Sequence, residues 1–485
     1  MAEPGCGAGT SIFRRKTLGA GPDAGFRRHL GVTHLTLMGI GATIGAGIFV
    51  LSGTVAAEHA GPAVSLSFVL AAIGCFCAAL CYAEFAALAP SGGSAYAYAY
   101  ATLGEFPAWL IGWTLVLEYL FSATTVAVGW SGYFGGVAER FGLILPPAIA
   151  SAPLSYLPGQ GFTASGSLLN VPALVIILGL GVLLARGIAL SALANNLMVV
   201  TKVAIVVLVI GAGALYVTPA NWVPFIPANP GEFGHFGWSG VFRGAGIVFF
   251  AYVGFDMVST SALEARNPQR DLPISLMASL AICTVLYIGM ALVITGLAPY
   301  QMLDVPQPIL VALGAAGARL RWLTPLIGIG ALIGLSSAML ISLYGQTRIF
   351  YAMSADGLLP AIFSRLHMRT QVPLFGTLLV VATAGVTASL FPIQLLGELA
   401  SIGTLLAFTI VCIAVVILRT VSPETPRPFR VPGYPYVPVL GVVSCLLLML
   451  TLPVPTWIRL LVWTAVGIAI YFGYGRARAR LVQLP

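Results

Sequence analysis

Charge is what this 485-residue sequence has least of: 8% of its residues are Asp, Glu, Lys or Arg, against about 25% in an ordinary soluble domain. That supply cannot clothe a water-facing surface, so a soluble enzyme, a nucleic-acid binder and a disordered chain are excluded together. Histidine is scarce too, with 5 residues that carry no motif. The 7 cysteines (Cys6, Cys75, Cys77, Cys81, Cys283, Cys412 and Cys445) form no C-x-x-C pair and stand at no zinc-ligand spacing from a histidine. They read as small hydrophobes, with neither a disulfide nor a metal indicated. Long polar stretches are also missing, and the connections around 138–170, 218–238 and 299–321 are too short to hold a core of their own. What is abundant is apolar surface, at 59% of residues, and only lipid tolerates so much of it facing outward. The chain therefore reads as an all-α integral membrane protein. Its net charge of +8 marks one side of a membrane rather than an acidic partner.

A bilayer core of about 30 Å needs about 20 apolar residues per helix. Twelve such runs can be counted, at roughly 32–56, 62–89, 107–137, 171–186, 189–217, 239–264, 273–298, 322–353, 373–391, 395–418, 434–453 and 457–474. The fourth and fifth merge around Arg186 and Gly187, which read as a tight turn. The runs are continuous rather than alternating, which excludes a β-barrel. With the N-terminus inside, the cytoplasmic side receives Arg14, Arg15, Lys16, Arg27, Arg28, Arg186, Arg266, Arg270, Arg348, Arg365, Arg369, Arg419, Arg427, Arg430, Arg476, Arg478 and Arg480. The outer side receives only Arg140, Arg319, Arg321 and Arg459. The positive-inside rule then places both termini in the cytoplasm, in agreement with an even span count. The basic start of the chain is not a signal peptide, because the first apolar run is too long for one.

Two spans break the rules for a simple anchor. The first, Gly39-Ile40-Gly41-Ala42-Thr43-Ile44-Gly45-Ala46-Gly47-Ile48, places four glycines within nine residues at mid-membrane depth. Each costs up to about 1 kcal/mol in a helix. Close helix packing through Gly41 and Gly45 would account for that pattern alone. The sixth span, Phe249-Phe250-Ala251-Tyr252-Val253-Gly254-Phe255-Asp256, repeats the interruption five helices later and adds a carboxylate. Paired interruptions in corresponding positions point to a transporter site at the junction of two inverted repeats. Unwound backbone offers N–H groups to a carboxylate and carbonyls to an ammonium, so it suits a small zwitterion better than a sugar.

Ionisable groups inside spans each cost a few kcal/mol unless paired or wet. Lys202 stands within Asn195-Asn196-Leu197-Met198-Val199-Val200-Thr201-Lys202-Val203, well inside the fifth span. Snorkelling to a headgroup is the bland account; a buried amine that exchanges a proton during transport is the functional one. Glu118 in span 3 and Glu84 near the inner end of span 2 are weaker cases of the same kind. Asp256 either caps the inner half of span 6 or lines the pocket, and Glu264 reads as a solvated helix end.

The glycine run, continued by Phe49, resembles the span 1 signature of the amino acid–polyamine–organocation permeases. Cys81-Tyr82-Ala83-Glu84-Phe85, Glu118-Tyr119, Gly129-Trp130-Ser131-Gly132-Tyr133 and Tyr344-Gly345-Gln346-Thr347-Arg348 narrow the resemblance, as does Phe249 to Asp256 followed by Val258-Ser259-Thr260 and Asn267-Pro268-Gln269-Arg270-Asp271. Together, from about residue 30 to 480, they look like the bacterial branch of the cationic amino acid transporter family. The resemblance implies a leucine-transporter-like bundle of 12 transmembrane helices. A cytoplasmic tail (1–31) precedes a first five-helix repeat (32–217) and a second, inverted one (239–419). Two extra helices (434–474) and a cytoplasmic tail (475–485) follow. It implies alternating access with proton rather than sodium coupling, with Lys202 at the place of the sodium ion of sodium-coupled relatives. Ile40 and Thr43 to Gly47 (Thr43, Ile44, Gly45, Ala46, Gly47) would receive the substrate carboxylate. Phe250, Ala251 and Val253 would offer carbonyls to the ammonium, with Phe250 or Tyr252 as an aromatic lid. Ser336 and Ser337 would neighbour Lys202. Asp256 and Glu118 could receive a cationic side chain, for which Ser342 leaves room.

The expected function is a broad-range L-amino acid permease, taking small neutral or cationic substrates by proton symport in the bacterial inner membrane. An amino acid/polyamine exchanger and a transport-dead sensor carry the same motifs. A channel would want a repeated polar stripe, and an enzyme a nucleophile with a base; Ser91-Gly92-Gly93-Ser94 and Trp130-Ser131-Gly132 have no evident histidine partner. The expected partners are an amino acid, a proton and the lipid bilayer, without nucleic acid or cofactor, and the sequence leaves an accessory membrane subunit open.

Overall fold

The computed structural model describes residues 30–88, 94–157 and 161–479. The basic residues Arg14, Arg15, Lys16, Arg27, Arg28 and Arg480, together with Cys6 and Ser91 to Gly93, lie outside the described residues. The main helices are α1 (Val32–Thr43), α2 (Val64–Leu88), α3 (Ser94–Thr102), α4 (Glu105–Arg140), α5 (Val171–Ala185), α6 (Ile188–Ala214) and α7 (Gly237–Val248). They continue with α8 (Pro268–Leu297), α9 (Pro308–Ala315), α10 (Leu323–Ala355), α11 (Leu374–Leu390), α12 (Ile393–Val421), α13 (Tyr436–Thr451) and α14 (Val454–Ile470). Among the described residues, 8 stretches are helical, long and apolar enough to cross a membrane, and α5, α11 and α13 are shorter apolar helices. The protein is a multi-pass membrane protein. One of the 8 stretches, Gly47–Leu88, contains a turn at Gly61–Ala63. Helices α5 and α6 meet at Arg186 and Gly187. The connection between α4 and α5 carries a hairpin of β1 (Leu154–Leu157) and β2 (Gly161–Ala164), with Leu154 opposite Ala164.

The long helix α4 forms the spine, packed against α10 and α12 along much of its length, while α8 packs on α2 and α1. Burial follows that arrangement: 83% of the apolar window of Glu105–Arg140 is inside the protein, against 22% for Val454–Arg478. Helix α14 is thus a peripheral, mainly lipid-facing element. It is fixed to α4 by indole rings that pair backbone across the seam. Trp109 Nε1 donates to the carbonyl of Gly467 at 2.8 Å. Trp113 Nε1 donates to Trp463 O at 2.8 Å, and Trp463 Nε1 returns a bond to Trp113 O at 3.0 Å. Trp113 stacks on Trp463 at 4.7 Å and on Trp109 at 6.0 Å. Tryptophan suits this role because its large apolar face packs while its single N–H finds a partner.

Glu84 is not an isolated intramembrane carboxylate, as its place in span 2 alone suggests. It lies at the centre of a clasp that ties α2 to the last turn of α12 and the segment after it. Arg419 Nε donates to it at 3.0 Å, a second guanidinium nitrogen of Arg419 also reaches it, and Arg427 Nε approaches to 3.4 Å. The amide of Val431 completes the set at 2.7 Å. Arg427 in turn donates to the carbonyls of Ser422 at 2.8 Å and Thr425 at 2.9 Å, closing the end of α12. Removing one member of a buried ion pair leaves the other unpaired, at a cost of about 3–5 kcal/mol. Glu84→Gln is therefore expected to lower the thermal unfolding midpoint of the purified protein by several degrees. An unchanged midpoint would show that the clasp contributes nothing to stability.

Candidate functional site

The first span is interrupted where the glycines cluster. Helix α1 stops at Thr43, Ile44 turns extended (ψ 95°), and the helix resumes as a wider π-turn at Gly47–Leu51. The sixth is interrupted in kind: α7 tightens into a 3₁₀ turn at Phe249–Tyr252, Val253 is extended (ψ 131°), and Gly254 takes a left-handed φ of 114°. A second 3₁₀ segment, Phe255–Glu264, carries the chain onward. Each break leaves carbonyls at the end of one half and amides at the start of the next without helical partners. The breaks lie against each other. A Cβ on Gly47 would stand 2.3 Å from Ala251 Cβ and 2.4 Å from its Cα, and one on Gly254 would meet Ala42 Cβ at 2.9 Å.

Lys202, on α6, is fully buried. Its ammonium reaches the carbonyls of Gly41 at 2.6 Å and Ile44 at 2.8 Å, and Ser337 Oγ on α10 at 2.7 Å. Ser337 passes its own proton to Gly334 O at 2.8 Å. Three short contacts match the three hydrogens of a protonated amine. A neutral amine has two hydrogens and a lone pair, and would keep the two carbonyls while accepting the rotated hydroxyl proton of Ser337. The lysine thereby bridges α6, the break in the first span and α10. Ser336, one residue before Ser337, bonds instead to Leu332 O of its own helix at 2.7 Å.

A second group of polar residues lies beside the sixth-span break. Glu118 on α4 is fully buried, and among the described residues neither of its carboxylate oxygens has a hydrogen-bond partner; Thr404 gives its proton to Ala400 O instead. Asp256 accepts from Tyr119 at 3.0 Å through one oxygen, while its other oxygen has no partner. The hydroxyl of Tyr82 and the amide oxygen of Gln346 are also buried without partners. Ser342 on α10 faces Ser122 on α4 at 3.4 Å. Acceptors predominate, with no lysine or arginine paired to them, so the group suits a donor-rich cation.

Other sequence-derived candidates fall as follows. Ile40, Thr43, Ile44, Ala46 and Gly47 are all buried at the first break, and Thr43 turns its hydroxyl onto Gly39 O at 2.7 Å. Gly45 is buried between Val126 and Ala338. Phe250, Ala251 and Val253 are buried at the second break. Tyr252 faces α2, with its hydroxyl on Phe68 O at 3.0 Å, leaving Phe250 as the ring better placed for a lid. Glu264, expected at a solvated helix end, is instead buried and accepts from Arg348 at 3.0 Å and Tyr344 at 3.3 Å. Arg348 lies in α10. The side chain that sequence reasoning missed is Tyr287 on α8, whose hydroxyl touches Thr43 O at 2.8 Å and Ala251 O at 2.6 Å. It sits in an apolar run with no glycine cluster or charge to mark it.

Comparison with known proteins decides the family. The family model described as amino acid permease matches residues 30–471, nearly the whole chain. The chain belongs to the amino acid permease family. The permease is 43% identical over 479 residues to the branched-chain amino acid permease BcaP of Bacillus subtilis, covering 98% of this chain and 99% of that one. It is 44% identical over 476 residues to the methylthioribose transporter of the same organism, covering 97% and 99%. A vacuolar cationic amino acid transporter of Arabidopsis thaliana is 39% identical over 401 residues, covering 82% of this chain and 64% of its own. These relatives are transporters, and neither their names nor that of the family describes an enzyme. The names of these relatives cover branched-chain amino acids, cationic amino acids and methylthioribose, a thiosugar that has neither an amino acid's carboxylate nor its ammonium.

Proposed function

We propose that this permease is a secondary active transporter of L-amino acids that couples uptake to an inward proton gradient by alternating access. The observation that carries the reading is the ammonium of Lys202 seated on the carbonyls of Gly41 and Ile44. It ties protonation of one amine to the shape of the first-span break. Two inverted repeats, 32–217 and 239–419, rock about that break, with 434–474 outside the moving parts and both termini in the cytoplasm. What supports the repeat is the like interruption of the first and sixth spans, five spans apart.

The cycle follows from the donors and acceptors on hand. Amides at the start of the outer half, from Gly45 to Gly47, take the substrate carboxylate. Carbonyls of Phe250, Ala251 and Val253 take the ammonium, and Phe250 closes over it. With the substrate and a proton aboard, the outer path closes and the inner path opens. Loss of the Lys202 proton removes the charge that strengthens the short bonds between the first span, α6 and α10. The inner half of the first span loosens, and the amino acid leaves. Glu118 and Asp256, with Ser342 leaving room beside them, receive a cationic side chain, while the apolar walls admit small or branched neutral ones.

Uptake of labelled leucine, alanine and arginine into sodium-free proteoliposomes tests this. An inwardly directed proton gradient is expected to drive accumulation of at least one label above its equilibrium level, with arginine among the accepted substrates. Binding without gradient-driven uptake would overturn the coupling, and failure of all three to compete would overturn the substrate class.

A further inference from the structure

The Tyr287 hydroxyl stands between the two broken helices. Thr43 O ends the inner half of the first span and Ala251 O lies in the sixth-span break; Tyr287 Oη is 2.8 Å from one and 2.6 Å from the other. Both are carbonyls at interrupted helix ends, where helical partners run out. A phenol has one hydrogen. It can satisfy only one of the two oxygens, and the other is left at hydrogen-bond distance with no hydrogen between. Nor can the ring turn away, because Tyr287 is fully buried and held by Phe68 at 5.4 Å and Tyr252 at 5.2 Å.

A group that brings three hydrogens to this point removes the deficit. We infer that Tyr287 is a positioning residue for the substrate's primary ammonium, its hydroxyl tying the two breaks together before binding and serving as a third contact for the ammonium afterwards. With substrate present, two N–H groups satisfy Thr43 O and Ala251 O, and the third reaches Tyr287 Oη, whose own proton stays on the second lone pair of one of those carbonyls. The site thereby counts hydrogens on the amine: a primary ammonium fills three contacts, a secondary one two. A site built to hydrogen-bond a group rejects analogues that lack it, because its polar atoms are left unpaired. The inference rests on the amino-acid reading above; it keeps Ala251 O as an ammonium contact and puts Thr43 O and Tyr287 Oη in place of the carbonyls of Phe250, which already accepts from Val253 N at 3.2 Å, and Val253.

The test uses the full-length permease in proteoliposomes. Whichever of leucine, alanine and arginine is taken up fastest is compared with its N-methyl derivative. In the unmodified protein the N-methyl analogue is expected to show a KM about tenfold or more above its parent. In Tyr287→Phe the parent KM is expected to rise about tenfold with kcat within about threefold, and the penalty for the N-methyl group to shrink to about threefold or less. Equal weakening of both compounds would reduce Tyr287 to a packing role, and no change would remove it from the site; either overturns the inference. If Tyr287→Phe does not fold, the unmodified protein decides: an N-methyl analogue transported as well as its parent overturns it. The two readings fail differently. Absence of saturable uptake of any amino acid sinks both, whereas normal uptake with an unchanged analogue ratio sinks this one alone.

Discussion

Lys202→Met is expected to transport substrate only downhill. In one-proton symport a gradient of about two pH units supports accumulation of about a hundredfold, since each tenfold is worth about 1.4 kcal/mol. The unmodified permease should approach that figure and the variant should stop near unity, while exchange of labelled for unlabelled substrate continues. Methionine keeps much of the length and apolar bulk of the lysine stem but brings no hydrogen to Gly41 O, Ile44 O or Ser337 Oγ, the three atoms within 2.8 Å of the ammonium. Two buried carbonyls without partners cost about 1–3 kcal/mol each. The variant should therefore also favour conformations in which the first-span break is open to water. The measurement is the steady ratio of internal to external label at fixed pH gradient. Undiminished accumulation by Lys202→Met would move the coupling proton elsewhere, and the unpaired carboxylates of Glu118 and Asp256 would be the next groups to replace.

Gly47→Ala is expected to abolish transport while leaving a folded protein. A methyl group there would lie 2.3 Å from Ala251 Cβ, and also 2.4 Å from Ala251 Cα and 2.9 Å from its amide nitrogen. Backbone cannot yield as a side-chain tip can. Overpacking of this kind costs about 1–3 kcal/mol, and here the cost falls on a backbone contact between the two breaks. Loss of uptake by about a hundredfold or more is expected, since misplacement by about 1 Å in a binding constellation has effects of that size. The double variant Gly47→Ala/Ala251→Gly separates backbone from side chain. It removes Ala251 Cβ but not Cα, so it should not restore uptake; full restoration would show that only the methyl groups collide.

What could be read in the sequence and what could not divides along a physical line. The glycines of span 1, Gly254 and Lys202 stand out because each violates what lipid demands of a helix, and a violation is visible in one dimension. The apolar runs are visible for the same reason, although the seam at Gly61–Ala63 merges two of them into one continuous stretch by length and hydropathy. Tyr287 violates nothing. Its meaning arises when two carbonyls from segments more than 200 residues apart in one case and 36 apart in the other converge on its hydroxyl. Glu264 misled for the converse reason: a charge at a helix end is solvated by default, and only the position of Arg348 and Tyr344 removes the solvent. Backbone acceptors have no letter in the sequence, so sites built from carbonyls show themselves through the residues that interrupt helices, not through those that complete the site.

The indole seam has an optical consequence. Of 8 tryptophans, Trp109, Trp113 and Trp463 are gathered into one stack where α4 meets α14. Stacked indoles absorb and share excitation as a group, so near-ultraviolet dichroism and much of the intrinsic emission originate at the edge of the bundle, away from the broken helices. These signals follow the attachment of α14, which makes them a gauge of integrity in detergent. A tryptophan introduced beside Phe250 would be the way to carry light to the break in the sixth span.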